Sequence, residues 1–341
     1  MLVRPNLPID ILKHIETFLV QYNPEVHTLS WVIKKNSTEG LRFLCEKNTE
    51  PIQHFAGFAI YLASGYGKLD MLNWLITRYG PVYESVFLRN LMDTPAAYGY
   101  LHIIQYLNTY NYSASTEAMD GSAGNGHFNV VKFLHNNRTE GCTQLAFDGA
   151  AENGHYHVME WLYKNRTGRV SDEGMETAIC NGHIEVVRFL LYTRDNSFYN
   201  FSESINRVAE IGDLAMIKLL HLYHVRGFTR YTMHLAAISG HFELVDWLHK
   251  NRSEGCLYKT MDDVAYTGNL RIVKWLHHNR TEGCTDDALC YAASKGDMPM
   301  VVWLRENRRE CNIEHAMYQA SRSKKLEVFK YLKQFQTKVL V

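Results

Sequence analysis

Histidine and cysteine are the side chains through which this sequence would do chemistry. Seventeen histidines and seven cysteines are enough for metal ligation, acid–base catalysis or a thiol nucleophile. Zinc needs clustered ligands at short spacing. There is no C-x-x-C pair, and the tight histidine pairs, His155 with His157 and His277 with His278, lack a third ligand nearby. Cys142, Cys256, Cys284 and Cys311 recur at nearly one place in a longer pattern, which suits a small apolar side chain ahead of a helix. Nucleophile elbow, phosphate-binding glycine loop and dinucleotide fingerprint are all missing. The expectation is a protein with no enzymatic activity, no metal and no cofactor.

Other chemically suggestive residues are just as regular. Asn137, Asn165, Asn251 and Asn279 each open an Asn-x-Ser/Thr triplet, an acceptor signature for glycosylation that here falls in one recurring loop. Asp93, Asp120, Asp148, Glu176 and Asp262 form one stripe; Arg138, Arg166, Arg194, Arg252, Arg280 and Arg308 form another. The acids are expected to bond the neighbouring loop, with a groove for a basic partner as the competing reading.

The elements behind this regularity follow from a repeat. A glycine stands at 67, 99, 126, 154, 182, 212, 240, 268 and 296, with Lys324 in the tenth place, so the dominant period is 28 residues. Self-similarity at such a period marks a solenoid. An Ala-rich segment precedes each anchor, and the glycine suits a helix end in the left-handed conformation. His127, His155, His183 or His241, or else Asp213, Asn269 or Asp297, then starts a second helix and is expected to cap it. Positions four, five, seven and eight beyond the anchor are apolar. The eighth is leucine in all ten units, and the seventh is Trp in five. Leu and Trp are expected to fill the second-helix layer. No unit can bury its apolar face alone, so neighbours must stack.

Composition agrees with a folded chain: 46% hydrophobic, 21% charged, formal net charge zero. Zero net charge argues against nucleic acid as partner, and no apolar run is long enough for a membrane span. The N-terminus lacks a secretory h-region, so the expected location is cytoplasmic, with nucleus or host-cell cytoplasm as alternatives.

Residues 231–248, with Thr232, His234, Ala236, Ala237, Gly240, His241, Val245 and Leu248, resemble the ankyrin repeat. The resemblance spans about residues 36–335, with units shorter than the family's; short units ending Asn-Arg-Thr-Glu-Gly-Cys look similar to ankyrin families of amoebae, oomycetes and giant viruses. It implies an all-α helical solenoid of about ten stacked helix-turn-helix repeats with reduced or absent β-hairpins. Residues 1–35 would form an N-terminal helical cap and 336–341 a tail. The family binds proteins through loop tips and the exposed positions of the first helix. These map to Glu152, Glu173, Glu203, Glu210, Tyr231, Ile238, Lys259, Tyr266, Asp287 and Arg322. The implied function is a monomeric, non-catalytic protein-interaction scaffold. Leu7, Pro8, Ile11, Leu12 and Ile15 lie in a stretch that also resembles the start of an F-box. That resemblance implies the alternative of a substrate receptor, with these five residues docking the adaptor of a cullin–RING ubiquitin ligase.

Overall fold

The computed structural model describes residues 24–47, 52–80, 86–193 and 200–336. They form helices in consecutive pairs: α1 (Pro24–Lys34) and α2 (Thr38–Lys47); α3 (Ile52–Gly65) and α4 (Leu69–Tyr79); α5 (Asp93–Ala97) and α6 (Leu101–Thr109); α7 (Thr116–Gly124) and α8 (Phe128–Asn137); α9 (Gln144–Glu152) and α10 (Tyr156–Asn165); α11 (Asp172–Cys180) and α12 (Ile184–Thr193). The series continues with α13 (Ser202–Ile211) and α14 (Leu214–Leu222); α15 (Arg230–Ile238) and α16 (Phe242–Asn251); α17 (Thr260–Thr267) and α18 (Leu270–Asn279); α19 (Asp287–Lys295) and α20 (Met298–Asn307); α21 (Ile313–Arg322) and α22 (Leu326–Gln336). Among the described residues there is no strand, and the loops that would carry hairpins are tight turns, with one isolated bridge between Asn200 and Arg226. The result is the all-α solenoid expected of the repeat. No described helix is long and apolar enough to cross a membrane.

The turn inside each pair explains the anchor. All nine anchor glycines have positive φ, from 68° at Gly67 to 87° at Gly240. The turn closes the preceding helix through bonds such as Gly126 N–H to Ala123 O at 3.1 Å and His127 N–H to Ser122 O at 2.8 Å. A side chain at positive φ is strained, yet Lys324 (φ 58°) and Asn36 (φ 58°) take the same conformation at the two ends of the series. Asn tolerates it better than Lys does.

The chain divides into two compact units, residues 1–190 and 191–341. Within each, first helices pack on first helices: α5 on α7 and α7 on α9 in one, α13 on α15, α17 on α19 and α19 on α21 in the other. Small residues make this possible. A Cβ on Gly149 would lie 3.0 Å from the Gly124 Cα, so α7 and α9 meet at glycine backbone. The leucine eight residues past each anchor, Leu75 through Leu332, is at most 2% exposed in every pair. The tryptophans do not behave as expected. Trp74, Trp161, Trp247, Trp275 and Trp303 are half-buried, because each of the last four turns its indole edge-on to a histidine (His135, His221, His249 and His277), in four cases at 4.9–5.2 Å between centroids.

Candidate interaction surface

Three polar ladders hold neighbouring pairs together, and they account for most residues that looked chemical in the sequence. The first is the acidic stripe. Asp93 accepts from Ser115 N–H (2.8 Å) and Oγ (2.5 Å), Asp120 from Thr143 N–H (2.8 Å) and Oγ1 (2.7 Å), and Asp262 from Thr285 N–H (2.8 Å) and Oγ1 (2.9 Å). Asp148 accepts from Ser171 N–H at 2.7 Å. Each bond runs from the start of one first helix to an acid on the one before, at its first residue for Asp93 and in its interior for the others. Burial pushes the Asp93, Asp120 and Asp262 carboxyls above their ordinary range, against those hydrogen bonds. His234, at the equivalent place, meets Thr260 Oγ1 at 3.1 Å.

The second ladder corrects the capping expectation. Asp213, Asn269 and Asp297 do cap, accepting from Met216, Ile272 and Met300 N–H at 2.9–3.1 Å. His127, His155 and His241 at the same position make no side-chain cap bond. An imidazole reaches farther than a carboxylate, and it lies back across the anchor glycine of the preceding pair. His183 Nε2 meets Glu152 O at 2.8 Å, and His241 Nε2 meets Glu210 O at 2.9 Å. Asn181 Nδ2 donates to the same Glu152 O at 2.9 Å. Asn125 and Asn153 likewise donate to Ala97 O and Gly124 O, where His127 and His155 also bond. The Asn-Gly-His sequence is thus a two-pronged clamp on one carbonyl. Burial lowers the pKa of His127 and His155 from the usual imidazole value.

The third ladder lies in the loops. Arg138, Arg252, Arg280 and Arg308 each hold a glutamate two residues on, Glu140, Glu254, Glu282 and Glu310. Burial pushes Glu282 up, but Arg280 and the Cys256 N–H outweigh it and hold the carboxyl down at about 2. The remaining Arg nitrogen meets the histidine that packs on Trp: Arg252 with His221, Arg280 with His249, Arg308 with His277, at 3.2–3.3 Å. One layer is broken. Gly168 stands where the glutamate would be, since a Cβ there would lie 2.2 Å from the Phe147 ring. Arg166 Nε, which would meet that glutamate, and His135 Nδ1, which would meet another nitrogen of the same guanidinium, are both buried without a partner.

The Asn-x-Ser/Thr triplets have a structural use too. Asn137, Asn165, Asn251 and Asn279 donate Nδ2 to the carbonyl four residues back, at 2.8–2.9 Å. Asn307, which opens no such triplet, does the same to Trp303 O at 2.8 Å. Of the four recurring cysteines only Cys256 is buried; Cys142, Cys284 and Cys311 are half-buried, and Cys284 Sγ accepts from Arg308 Nε at 3.3 Å.

What the ladders leave over falls at two positions, nine and two residues before the anchor. Glu173, Glu203, Tyr231, Lys259 and Asp287 occupy the first and are exposed. Glu210, Tyr266 and Arg322 occupy the second and are exposed; Glu152 and Ile238 are there but half-buried. Glu152 and Glu173 belong to the first unit, the other eight to the second. In the second unit, Tyr231 and Tyr266 are 55% and 49% exposed. Tyr266 packs edge-on against Tyr291 at 5.4 Å, with Lys295 Nζ 4.1 Å from its ring. Tyr258 and Tyr318, which the repeat reading passed over, are also exposed; their registers, ten and six before the anchor, hold no other exposed aromatic among the described residues to draw notice. Leu7, Pro8, Ile11, Leu12 and Ile15 lie outside the described residues. Asp286, Cys290 and His315 bring their ligand atoms within 4.8 Å of one another, a trio hidden in the sequence because it comes from two different repeats.

Residues 233–277 match the family model described as ankyrin repeats (many copies). The chain is also similar to an ankyrin repeat protein of Acanthamoeba polyphaga mimivirus, at 21% identity over 133 residues, which is 33% of this chain and 29% of that protein. The chain therefore spans well under two thirds of that relative's length.

Proposed function

Starting from the chain as an ankyrin-repeat protein, we propose that it is a non-catalytic scaffold whose second unit binds a folded protein or an extended segment. One observation carries this reading. The ladders use almost every recurring polar residue for stacking, and the residues they leave exposed change type from layer to layer: Glu203, Tyr231, Lys259, Asp287 along one line, and Glu210, Ile238, Tyr266, Arg322 along the other. Variation on a fixed backbone is how a repeat surface becomes selective. Tyr231 and Tyr266 are the anchors, since aromatic side chains dominate interface energetics. The mixed signs of charge favour a protein over a nucleic acid.

Affinity purification of the full chain beside a Tyr231→Ala/Tyr266→Ala variant tests the reading. The specific partner set should be lost in the variant with the thermal midpoint unchanged. Retention of that set, or its equal loss on Lys164→Ala on the outer helix α10, would overturn it. The ubiquitin-ligase reading rests on the sequence of residues 7–15 alone. It requires that the full chain bind the adaptor and that Ile11→Asp abolish that binding. The scaffold is taken to act as a monomer, which its sedimentation mass checks.

A further inference from the structure

We infer that Asp286, Cys290 and His315 form a binding site for a zinc-class divalent cation at the junction of the last two repeats. Asp286 and Cys290 are four residues apart across the N-cap and second turn of α19, so they share one helix face. His315 comes from the first turn of α21, which packs on α19. His315 Nδ1 lies 3.1 Å from Asp286 Oδ2, and the three ligand atoms, one N, one O and one S, lie within 4.8 Å of one another. Tetrahedral zinc, with bonds of about 2.0–2.3 Å, takes this donor set.

The rest of the molecule points to the same place. At four other junctions, those of Asp93, Asp120, Asp148 and Asp262, the residue six before the anchor is an aspartate that accepts from a Ser or Thr on the next repeat. Here both members of that pair are changed, to Cys290 and Ile313, so the usual interlayer bond cannot form. Asp286, unlike Asp297, makes no cap bond; Thr285 supplies the one to Asp287 N–H instead. The carboxylate is left facing His315. Behind the imidazole, the Gln319 amide nitrogen lies 3.4 Å from Nε2. With Nδ1 on a metal, Nε2 carries the proton, and turning the Gln319 amide over brings its oxygen into place to accept it and fix the ring. Cys290 is buried, whereas Asp286 and His315 are 42% and 43% exposed at their side chains. The cation therefore has three protein ligands and an outward fourth position for water or a donor from a partner. Binding releases the Cys290 thiol proton to solvent, and no oxidant or reductant is involved.

The test is titration of the full reduced chain with Co2+ as a spectroscopic probe, and with Zn2+ in competition. One equivalent should produce a thiolate-to-cobalt charge-transfer band that Zn2+ abolishes. His315→Ala and Cys290→Ser should each weaken binding by more than the roughly 10–100-fold that loss of an outer-shell partner costs. Cys284→Ser/Cys311→Ser, which removes the neighbouring thiol pair, should leave the band unchanged. His315 is exposed, so its variant stays folded and reports on ligation alone. Absence of a band in the wild type, its survival in His315→Ala, or its loss in the Cys284/Cys311 variant would each overturn the proposal.

Discussion

At the scale of single residues, the position after the anchor shows how one site in a repeat solves two problems. An Asp or Asn there caps its own helix; a His there abandons the cap and clamps the previous pair. The choice constrains the glycine one repeat earlier. A Cβ on Gly212 would lie 2.4 Å from the His241 ring, whereas one on Gly240 would lie 3.4 Å from Asn269 Nδ2. Both glycines have nearly the same φ, 86° and 87°, so the backbone penalty cancels in a comparison. Gly212→Ala should cost more than Gly240→Ala by about 1–3 kcal/mol, the usual range for forced overpacking, as read from denaturant midpoints. Lys324→Gly should do the reverse and stabilise the last pair by about 1 kcal/mol through relief of the left-handed backbone.

The clamping histidines also set a pH dependence. A histidine whose folded pKa lies below its unfolded value binds fewer protons folded than unfolded, so stability falls as pH drops below about 6.5 and on through the folded pKa. The clamping His127 and His155 are lowered, by burial first, and so is His234 of the first ladder. The thermal midpoint should fall between about pH 7.5 and 5.5, and a His127→Asn/His155→Asn variant should show a shallower fall; an unchanged slope would count against the clamp. Glu282 acts in a lower window. Its depressed folded pKa gives stability that is present above about pH 4.5 and lost as the pH falls toward 2.

At the scale of elements, the first-helix layer is held by carboxylates as well as by small side chains. Asp262→Ala would remove a buried carboxylate and leave the Thr285 N–H and hydroxyl without their acceptor at a half-buried helix start. The cost should be about 2–3 kcal/mol, with Asp262→Asn recovering part of it. An unchanged midpoint would mean that the stripe serves a partner and not the stack. Much of this layer was legible in the sequence, because a 28-residue period exposes any residue that recurs: the anchor glycines, the leucines and the acidic stripe all stand where spacing put them. What spacing conceals is direction. It gives the position of His241 without saying that the ring points backward. It also cannot say that Trp247 is only half-buried and meets His221 edge-on. Contacts between layers, such as Arg252 to His221 or Asp286 to His315, appear only once the layers have a register.

At the scale of the whole molecule, each pair within a unit touches mainly the next, so stability is a sum of local terms. Leu248→Ala should cost about 2–5 kcal/mol. The faster amide exchange it causes should centre on α15–α18 and spare α21 and α22. A uniform rise along the second unit would show longer-range cooperativity than nearest-neighbour stacking supplies. The candidate binding positions were less legible than the fold at this scale. Their residues are by definition those the repeat does not dictate, so the period can mark the register but not which side chain in it matters.

The clamps on carbonyl oxygens have one more property. Asn181 and His183 donate backward to Glu152, Thr143 backward to Asp120, Thr285 backward to Asp262, and Arg280 backward to His249. In these bonds the later repeat brings the donors and the earlier one offers acceptors already fixed in a finished helix; the Cys256 N–H, which donates forward to Glu282, is the exception. The stack thus has a polarity, with a receptive face always turned toward the part of the chain not yet made. A ribosome delivers the chain in that same order, so each repeat emerges beside a template awaiting it, and assembly can keep pace with synthesis from one end.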